Sequence, residues 1–254
     1  MDDAAPGAVM RVCALYPDLM NIYADRGNLL LLERRCAWRQ IGFELCASSL
    51  DERLDGDAHD LYYLGGGQDR DQRLCAEDLV HNKAEGLRRA AQRGAVVLGV
   101  CGGYQLLGRS YALEGEEIAG VGLLDVHTVR PHDGRLIGNV AIQTQLRWAA
   151  GGSGTDGVLA GFENHGGRTH LGSEAQPLGR VLAGHGNDGR SGFEGARQGN
   201  VIGTYLHGPL LPKNAWFADW LIAAAVGVEP AALAPLDDGL ERAAHEQARR
   251  VAGA

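Results

Sequence analysis

The chain has 254 residues, 45% of them hydrophobic, so it can bury the core of one large α/β domain or two small ones and is not expected to be disordered. Its 32 acidic residues outnumber 24 basic ones, which gives a formal net charge of -8. This charge repels nucleic acid and anionic lipid, so the composition argues against a polyanion-binding role.

Five cysteines are spread along the chain at wide, irregular spacing: Cys13, Cys36, Cys46, Cys75 and Cys101. Their odd number and irregular spacing fit neither a disulfide framework nor a Cys-x-x-Cys zinc site. We therefore predict that the protein resides in a reducing compartment and that it has no metal site. Asp2 and Asp3 stand where a signal peptide carries positive charge, and the longest apolar stretch, residues 220–228, is too short to span a bilayer. We therefore expect a cytoplasmic protein without a membrane span.

The first half of the chain alternates between strand-like and helix-like segments. Apolar runs predict strands and helical spacing predicts helices. The predicted strands are residues 9–15, 43–47, 61–64 and 95–98, and the predicted helices are residues 28–41 and 71–93. This alternation favours parallel pairing through right-handed crossovers. We therefore predict an α/β fold with an open, doubly wound, mostly parallel sheet and helices on both faces.

The second half of the chain has a different residue pattern, in which shorter strand-like runs are separated by Gly, Asn and Asp. The predicted strands here are residues 123–129, 136–146, 158–162 and 201–206. We expect these strands to be antiparallel additions to the same sheet. A helix is predicted at residues 212–226, and a further exposed helix within residues 229–254.

The most informative stretch is residues 96–106, VVLGVCGGYQL, in which a buried strand ends in Gly99-Val100-Cys101-Gly102-Gly103 and a helix begins. The pattern Gly-x-nucleophile-x-Gly is typical of a nucleophile elbow, whose glycines permit a strained turn. The amide after the nucleophile points into the site as an oxyanion donor, and the helix N-terminus favours the thiolate. Taken alone, the pattern also fits an inert buried cysteine.

A catalytic cysteine needs a base, and two histidines are candidates. His207 follows an apolar strand and is forced into a loop by Gly208 and Pro209, so it stands at a strand end. His165 has nearly the same setting and is the rival. For either histidine considered singly, a structural role is the default.

These motifs, in this order, resemble the class I (triad) glutamine amidotransferases, and within them the cobyric-acid-synthase-like branch. The elbow pattern Gly-x-Cys-x-Gly-x-Gln is matched by residues 99–105, the oxyanion-loop glycines by residues 65–67, and the late histidine by Tyr205-Leu206-His207-Gly208. The resemblance covers roughly residues 9–226, and three motifs in register are more specific than any one.

Within this branch the chain most resembles the GatD-type glutaminase subunits of lipid II isoglutaminyl synthase. The matching stretches are YPDLMNIYADRGN at residues 16–28, GGGQDRDQ at 65–72, RLIGN at 135–139 and FENHGGRT at 162–169. The chain is also too short to carry the fused ATP-dependent domain of a cobyric acid synthase.

The resemblance implies three regions: an amidotransferase domain at residues 9–226, a C-terminal helical tail at 227–254 and a disordered N-terminus at 1–8. It also implies a subunit that hydrolyses L-glutamine and passes ammonia to a Mur-ligase-like, ATP-dependent synthase in a heterodimer. That partner amidates the D-glutamate of lipid II in peptidoglycan synthesis. No cofactor is expected in this chain, while ATP and Mg are expected in the partner.

Residue roles also come from the resemblance. Cys101 would be the nucleophile and His207 the base, while the amides of Gly102 and of Gly66 or Gly67 would form the oxyanion hole. The remaining substrate-binding residues would be Gln105 and Arg135. Arginine suits the α-carboxylate of glutamine because its planar fork bonds both oxygens.

One position departs from the wider class, which has a glutamate two residues after the histidine where this chain has Pro209. In the GatD-type family the orienting acid is thought to come from the partner subunit, so the departure agrees with the narrower resemblance. Three alternatives stay open: a cobyric or cobyrinic acid-type amidotransferase, a cysteine hydrolase of the α/β-hydrolase kind, and a non-catalytic regulatory relative.

Overall fold

The computed structural model describes residues 7–21, 26–113, 115–146 and 157–254. The segment predicted to be disordered, residues 1–8, lies outside this part of the chain except for Gly7 and Ala8. None of the helices in the described residues has the length and apolar character that crossing a membrane requires.

Strands and helices follow one another along the chain. The strands are β1 (Val9–Leu15), β2 (Gly42–Ser48), β3 (Leu61–Leu64), β4 (Val96–Val100), β5 (Ser110–Leu113), β6 (Glu116–Ala119), β7 (Val126–Val129), β8 (Leu136–Thr144), β9 (Val158–His165), β10 (Arg168–Leu171), β11 (Gly179–Ala183), β12 (Phe193–Glu194), β13 (Ala196–Gln198) and β14 (Val201–Thr204). The helices are α1 (Arg26–Trp38), α2 (Asp69–Asp78), α3 (Ala84–Gln92), α4 (Gly102–Leu107), α5 (Leu210–Lys213), α6 (Ala215–Val226) and α7 (Gly239–Ala252). A π-helical turn, Leu79–Lys83, joins α2 to α3 into the single helical segment predicted for this region.

The central sheet has the strand order β13-β14-β4-β3-β1-β2. Its last five strands pair in parallel, and β13 is antiparallel to β14 at the edge. The inner strands β3 and β4, with the sequences LYYL and VVLGV, are buried along their whole length because helices cover both faces. The predicted fold class is therefore confirmed.

Two hydrophobic cores flank this sheet. On one face Met10 and Leu98 pack with apolar residues of α1 and α6. On the other face Tyr62 and Val97 pack with apolar residues of α2, α3 and α4. Successive side chains of a strand point to opposite faces, so each inner strand contributes to both cores.

The later strands do not join the central sheet as predicted. Only β14 and β13 join it, and β14 pairs with β4 in parallel rather than antiparallel as predicted. The other later strands form two separate four-stranded sheets, β10-β7-β5-β6 and β12-β11-β8-β9. The reason is local pairing. Strands β8 and β9 are consecutive in the chain and form a long antiparallel ladder. This ladder satisfies their backbone hydrogen bonds, so they need not pair with an edge of the central sheet.

The predicted helix at residues 212–226 is divided at Asn214 into α5 and α6, since Asn214 leaves the helical conformation with φ -139° and ψ 62°. Its side-chain amide accepts from the Ala160 amide at 2.8 Å and donates to the Ala160 carbonyl at 2.7 Å, which ties the junction to β9. The exposed helix predicted near the C-terminus is α7, which lies against α5, β8 and β9.

A buried ion pair connects α1 to α6. The guanidinium of Arg35 is fully buried and donates to both carboxylate oxygens of Asp219, at 2.5 and 2.6 Å. Arg35 also donates to Asp238, just before α7, and Arg39 donates to Asp219 at 2.8 and 2.9 Å. The helices α1 and α6 and the segment before α7 are therefore connected through one buried charged group, the guanidinium of Arg35.

We predict that Asp219→Ala lowers the free energy of unfolding by about 3–5 kcal/mol, because it leaves the buried Arg35 charge without its closest partner. Urea unfolding followed by circular dichroism measures this change. The matched control is Glu116→Ala, which removes an exposed partner of Arg73 and should cost about 0–1 kcal/mol. Equal small losses in both variants would contradict the prediction.

Candidate active site

The turn between β4 and α4 has the strained backbone that the elbow motif predicts. Cys101 adopts φ 54° and ψ -109°, although it is not a glycine. It is half-buried, and its amide donates to the carbonyl of Thr204 at the end of β14. A backbone of this kind persists only where the surroundings hold it, and such positions are enriched at active sites.

Gly103 shows why the elbow tolerates no side chain on its inner side. A Cβ at Gly103 would lie 2.2 Å from the Leu64 carbonyl oxygen at the end of β3. The Gly103 amide instead donates to the Gly65 carbonyl at 3.0 Å. The elbow therefore contacts the loop that follows β3 directly.

That loop brings a second backbone amide next to the elbow. The nitrogen of Gly67 lies 3.2 Å from the point where a Cβ of Gly102 would stand, so the two backbones approach each other closely. Gly67, Gly102 and Cys101 line one open cavity. Backbone amides close to a thiol are the kind of donor that can stabilise an oxyanion.

Most of the predicted site residues meet at this cavity. Those that line it are Cys101, Gly102, Gln105, Arg135 and Gly67. Gly66, the alternative to Gly67, precedes it in the same loop. The lining also includes His165, the rival candidate for the base, and residues that the sequence analysis did not assign to the site: Asp69, Gln72, Arg130 and Gly167.

A chain of hydrogen bonds runs through the side-chain amide of Gln105, which lines the cavity. Gln72 donates to the Gln105 side-chain oxygen at 2.7 Å, and the Gln105 nitrogen donates to the Tyr205 hydroxyl at 3.1 Å. The Tyr205 hydroxyl lies 2.6 Å from that of Thr169, and Thr169 lies 2.7 Å from Thr128. Gln72 closes the GGGQDRDQ stretch and Tyr205 stands two residues before His207, so both could have been singled out from the motifs.

Arg135 reaches the cavity from the start of β8 while anchored on β9. Its Nε donates to the side-chain oxygen of Asn164 at 2.6 Å and its Nη2 to the Asn164 carbonyl at 2.7 Å. A guanidinium has five N–H groups, so these two bonds occupy one edge of the fork and leave the N–H groups of Nη1 and one of Nη2.

His207 follows β14 and is held by its backbone. It exchanges two hydrogen bonds with Phe162, at 3.0 and 3.1 Å, and its ring meets the Phe162 ring edge-on at 5.8 Å between centroids. Burial, together with the positive neighbours Lys213 and Arg135, lowers the pKa of His207 from its ordinary value of 6.5 to about 4. His207 is therefore a neutral imidazole near pH 7.

The rival histidine, His165, belongs to the same neighbourhood. Its ring stacks on Tyr205 with 3.6 Å between centroids, and its Nδ1 lies 2.8 Å from the Gly167 carbonyl. Its Nε2 is 3.9 Å from a carboxylate oxygen of Glu163, a fully buried residue that accepts from the amides of His185 and Gly186. The site thus contains two buried histidines, one lining the cavity and one at the end of β14.

Comparison with known proteins agrees with this geometry. Residues 11–215 match the family described as the CobB/CobQ-like glutamine amidotransferase domain. The chain is similar to the lipid II isoglutaminyl synthase (glutamine-hydrolyzing) subunit GatD of Staphylococcus aureus strain N315, at 38% identity over 82% of this chain and 81% of the relative. It is 36% identical to the subunit of the same name from Streptococcus pneumoniae, over 85% of this chain and 80% of the relative.

A solved structure shares the fold. PurLQS from Thermotoga maritima superimposes with a TM-score of 0.56 at 21% identity, over 94% of this chain and 98% of that one. The family match covers most of the chain, and it includes the elbow, the glycine loop and His207. The chain therefore belongs to the family of CobB/CobQ-like glutamine amidotransferases, which confirms the enzyme class that its motifs predicted.

Proposed function

We propose that this chain is the glutamine-hydrolysing subunit of a lipid II isoglutaminyl synthase. It would release ammonia from L-glutamine for amidation of the D-glutamate of lipid II. The observation that carries the proposal is the strained, half-buried Cys101 beside the Gly67 and Gly102 backbones in a cavity that Arg135 also lines. The two GatD relatives, matched over most of both chains, support the specific assembly.

In the proposed reaction His207, neutral at physiological pH, accepts the proton of the Cys101 thiol. The thiolate attacks the side-chain amide carbon of glutamine, and the resulting oxyanion is stabilised by the amides of Gly67 and Gly102. The protonated His207 then gives its proton to the leaving amine, so ammonia departs and a γ-glutamyl thioester remains. Water, deprotonated by His207, hydrolyses the thioester and regenerates the thiol as glutamate leaves.

Arg135 is proposed to bind the α-carboxylate of the substrate. Asn164 occupies one edge of its guanidinium, which fixes the side chain and leaves the other edge for two parallel bonds to a carboxylate. Gln105 is proposed to contact the substrate from the floor of the cavity, where Gln72 and Tyr205 fix its side-chain amide.

The partner is proposed to be a Mur-ligase-like synthase that binds ATP and Mg and also supplies an acid to this site. Pro209 stands where the wider class has a glutamate, and residues 208–212 contain no acidic side chain. An acid inserted from the partner would orient the imidazole and stabilise its protonated form. Glutamine hydrolysis would then depend on assembly, which limits wasted ammonia.

We predict that Cys101→Ala abolishes glutaminase activity and leaves the fold intact, because it removes only the sulfur from a half-buried site. Glutamate release measures the activity, and mass spectrometry of acid-quenched wild-type enzyme should detect the γ-glutamyl thioester. Cys46→Ala, which alters an exposed cysteine outside the cavity, is the matched control and should keep activity. Wild-type turnover by Cys101→Ala would refute the mechanism, and ester or lactone hydrolysis without glutaminase activity would favour an α/β-hydrolase-like enzyme.

We predict that Arg135→Ala lowers kcat/KM for glutamine by about 30-fold or more, since charge-assisted bonds worth about 2 kcal/mol are lost. Arg135→Lys should recover little, because an ammonium cannot reproduce the bidentate geometry. Steady-state kinetics with Arg109→Ala as control tests this, since Arg109 is an exposed arginine paired with Asp125 outside the cavity. Unchanged kinetics in both Arg135 variants would remove it from the site.

We predict that the isolated chain is a poor glutaminase and that the partner raises both its rate and the pKa of His207. Loss of the orienting acid in a Ser-His-Asp enzyme costs about 10⁴ in turnover. A carboxylate near His207 favours the imidazolium, so the pKa should rise from about 4 in the free chain towards or above 6.5 in the complex. The acidic limb of the rate profile should move to higher pH accordingly.

NMR titration of labelled histidine in the free chain and in the complex measures this shift, with His207→Gln used to assign the signal. Replacing the responsible partner carboxylate should cost as much activity as His207→Gln without separating the subunits. Full activity of the isolated chain would contradict the proposal and direct attention to Glu163, whose buried carboxylate acts on His207 within this chain.

A further inference from the structure

Three potential metal ligands from separate parts of the chain converge at the outer side of the central sheet. They are Cys13 on β1, Cys46 on the edge strand β2, and His59 just before β3. Their ligand atoms all lie within 4.8 Å of one another, and Cys46 Sγ is 2.9 Å from His59 Nε2. No other such group occurs among the residues that the structure describes.

The sheet register brings the two sulfurs together. Cys13 and Cys46 are direct partners in the parallel ladder of β1 and β2. Registered partners on neighbouring strands project to the same face, so both thiols extend towards the side of the sheet that α2 and α3 cover. The backbone ladder therefore places the two Cβ atoms side by side, and the rotamers of the two cysteines set the positions of the sulfurs.

His59 is delivered by a loop that is itself held in place. Arg93 donates to the carbonyls of Gly56 and His59, and the Tyr62 hydroxyl donates to the Asp55 carbonyl at 2.8 Å. The His59 ring also meets the Tyr62 ring edge-on at 5.6 Å between centroids. The imidazole is therefore positioned before any ligand arrives, which reduces the entropy cost of binding one.

Burial and charge favour a soft divalent cation at this cluster. Cys13 is 1% exposed, whereas Cys46 is an exposed cysteine at the edge of the sheet. Two thiolates would balance the charge of a divalent ion, so the complex would be neutral in a poorly solvated site.

We propose that Cys13, Cys46 and His59 form a Zn²⁺ site. Zinc favours tetrahedral sulfur and nitrogen ligands, and bonds of about 2.3 Å to sulfur and about 2.0 Å to nitrogen place such ligands roughly 3.5–4 Å apart. Binding replaces the contact between Cys46 and His59 and releases one proton from each thiol. A water molecule at the exposed edge completes the fourth position, since Cys46 is exposed while Cys13 is buried.

The expected consequence is a cross-link between β2, β1 and the loop before β3. Strand β2 is the last strand of the central sheet, so one of its sides lacks a neighbouring strand. A zinc ion that binds only the native state stabilises it by RT ln(1 + [Zn]/Kd), so the unfolding temperature should rise as the zinc concentration exceeds Kd. The site is separate from the catalytic cavity, whose Cys101 follows β4, two strands away from β1.

The test uses the full chain carrying Cys101→Ala, because the proposed catalytic thiol and imidazole could themselves bind a soft metal. The protein is reduced, treated with a chelator and titrated with Co²⁺ and then Zn²⁺. We expect one Co²⁺ per chain, with thiolate-to-cobalt charge-transfer absorption and tetrahedral d–d bands that Zn²⁺ abolishes. Zn²⁺ should also protect Cys46, the exposed thiol of the pair, from modification and raise the unfolding temperature.

Two variants in that background decide the assignment. Loss of a residue that merely orients a zinc ligand costs roughly 10- to 100-fold in affinity, so Cys46→Ser and His59→Asn should each weaken binding by about 100-fold or more. Cys75→Ala, which alters a buried cysteine on α2, should bind as before. Because Cys46 is exposed and His59 half-buried, both variants are expected to fold, and circular dichroism checks this.

Specific results would contradict the proposed zinc site. Absent charge-transfer absorption, or binding that is unchanged in both Cys46→Ser and His59→Asn, would overturn the zinc site. Formation of a disulfide between Cys13 and Cys46 on mild oxidation, with no metal bound by the reduced chain, would assign the pair to redox chemistry instead. Each outcome leaves the proposed glutaminase unaffected, because the native chain carrying Cys46→Ser should still hydrolyse glutamine.

Discussion

The strained turn at Cys101 is the constraint on which the site depends. A non-glycine residue at φ 54° costs of order 1–3 kcal/mol, and the surrounding backbone has to hold it there. Two hydrogen bonds do so, from the Cys101 amide to Thr204 and from the Gly103 amide to Gly65. They join the elbow to the ends of β14 and β3, so the thiol is positioned by three neighbouring parallel strands.

The strand end that carries His207 is stabilised by a buried acid rather than by solvent. Glu194 is completely buried and accepts from the Tyr205 amide at 2.6 Å and from the Thr204 hydroxyl. Burial raises the pKa of its carboxyl to about 8, which favours the protonated form at neutral pH. This carboxyl fixes the backbone between the elbow contact at Thr204 and the histidine.

The surroundings of His207 suit its proposed role as a neutral base. Burial, His165, Lys213 and Arg135 all disfavour a proton on His207, and Glu163 favours one. In the proposed reaction these surroundings keep the base deprotonated but do little to stabilise its imidazolium form. A carboxylate from the proposed partner would stabilise that form, and partner binding would then have a physical means of controlling turnover.

Local features of this protein were determined by the sequence itself. The elbow, the glycine loop and the alternation of strands and helices are each specified within a few consecutive residues, since glycine positions and hydrophobic spacing act on the adjacent backbone. The fold class and the family follow from them. Tertiary structure alone decided that most later strands form separate sheets, and that Arg35 pairs with Asp219 in the core.

The difference between local signals and long-range packing also explains why the sequence did not predict the cluster of Cys13, Cys46 and His59. Spacings of this length match no metal-binding motif, so the five cysteines predicted no metal site. The ladder register between β1 and β2 and the packing of the loop before β3 bring the three side chains together. Contacts between residues distant in the chain depend on how whole elements pair and pack, and a single sequence carries no local signal for that pairing.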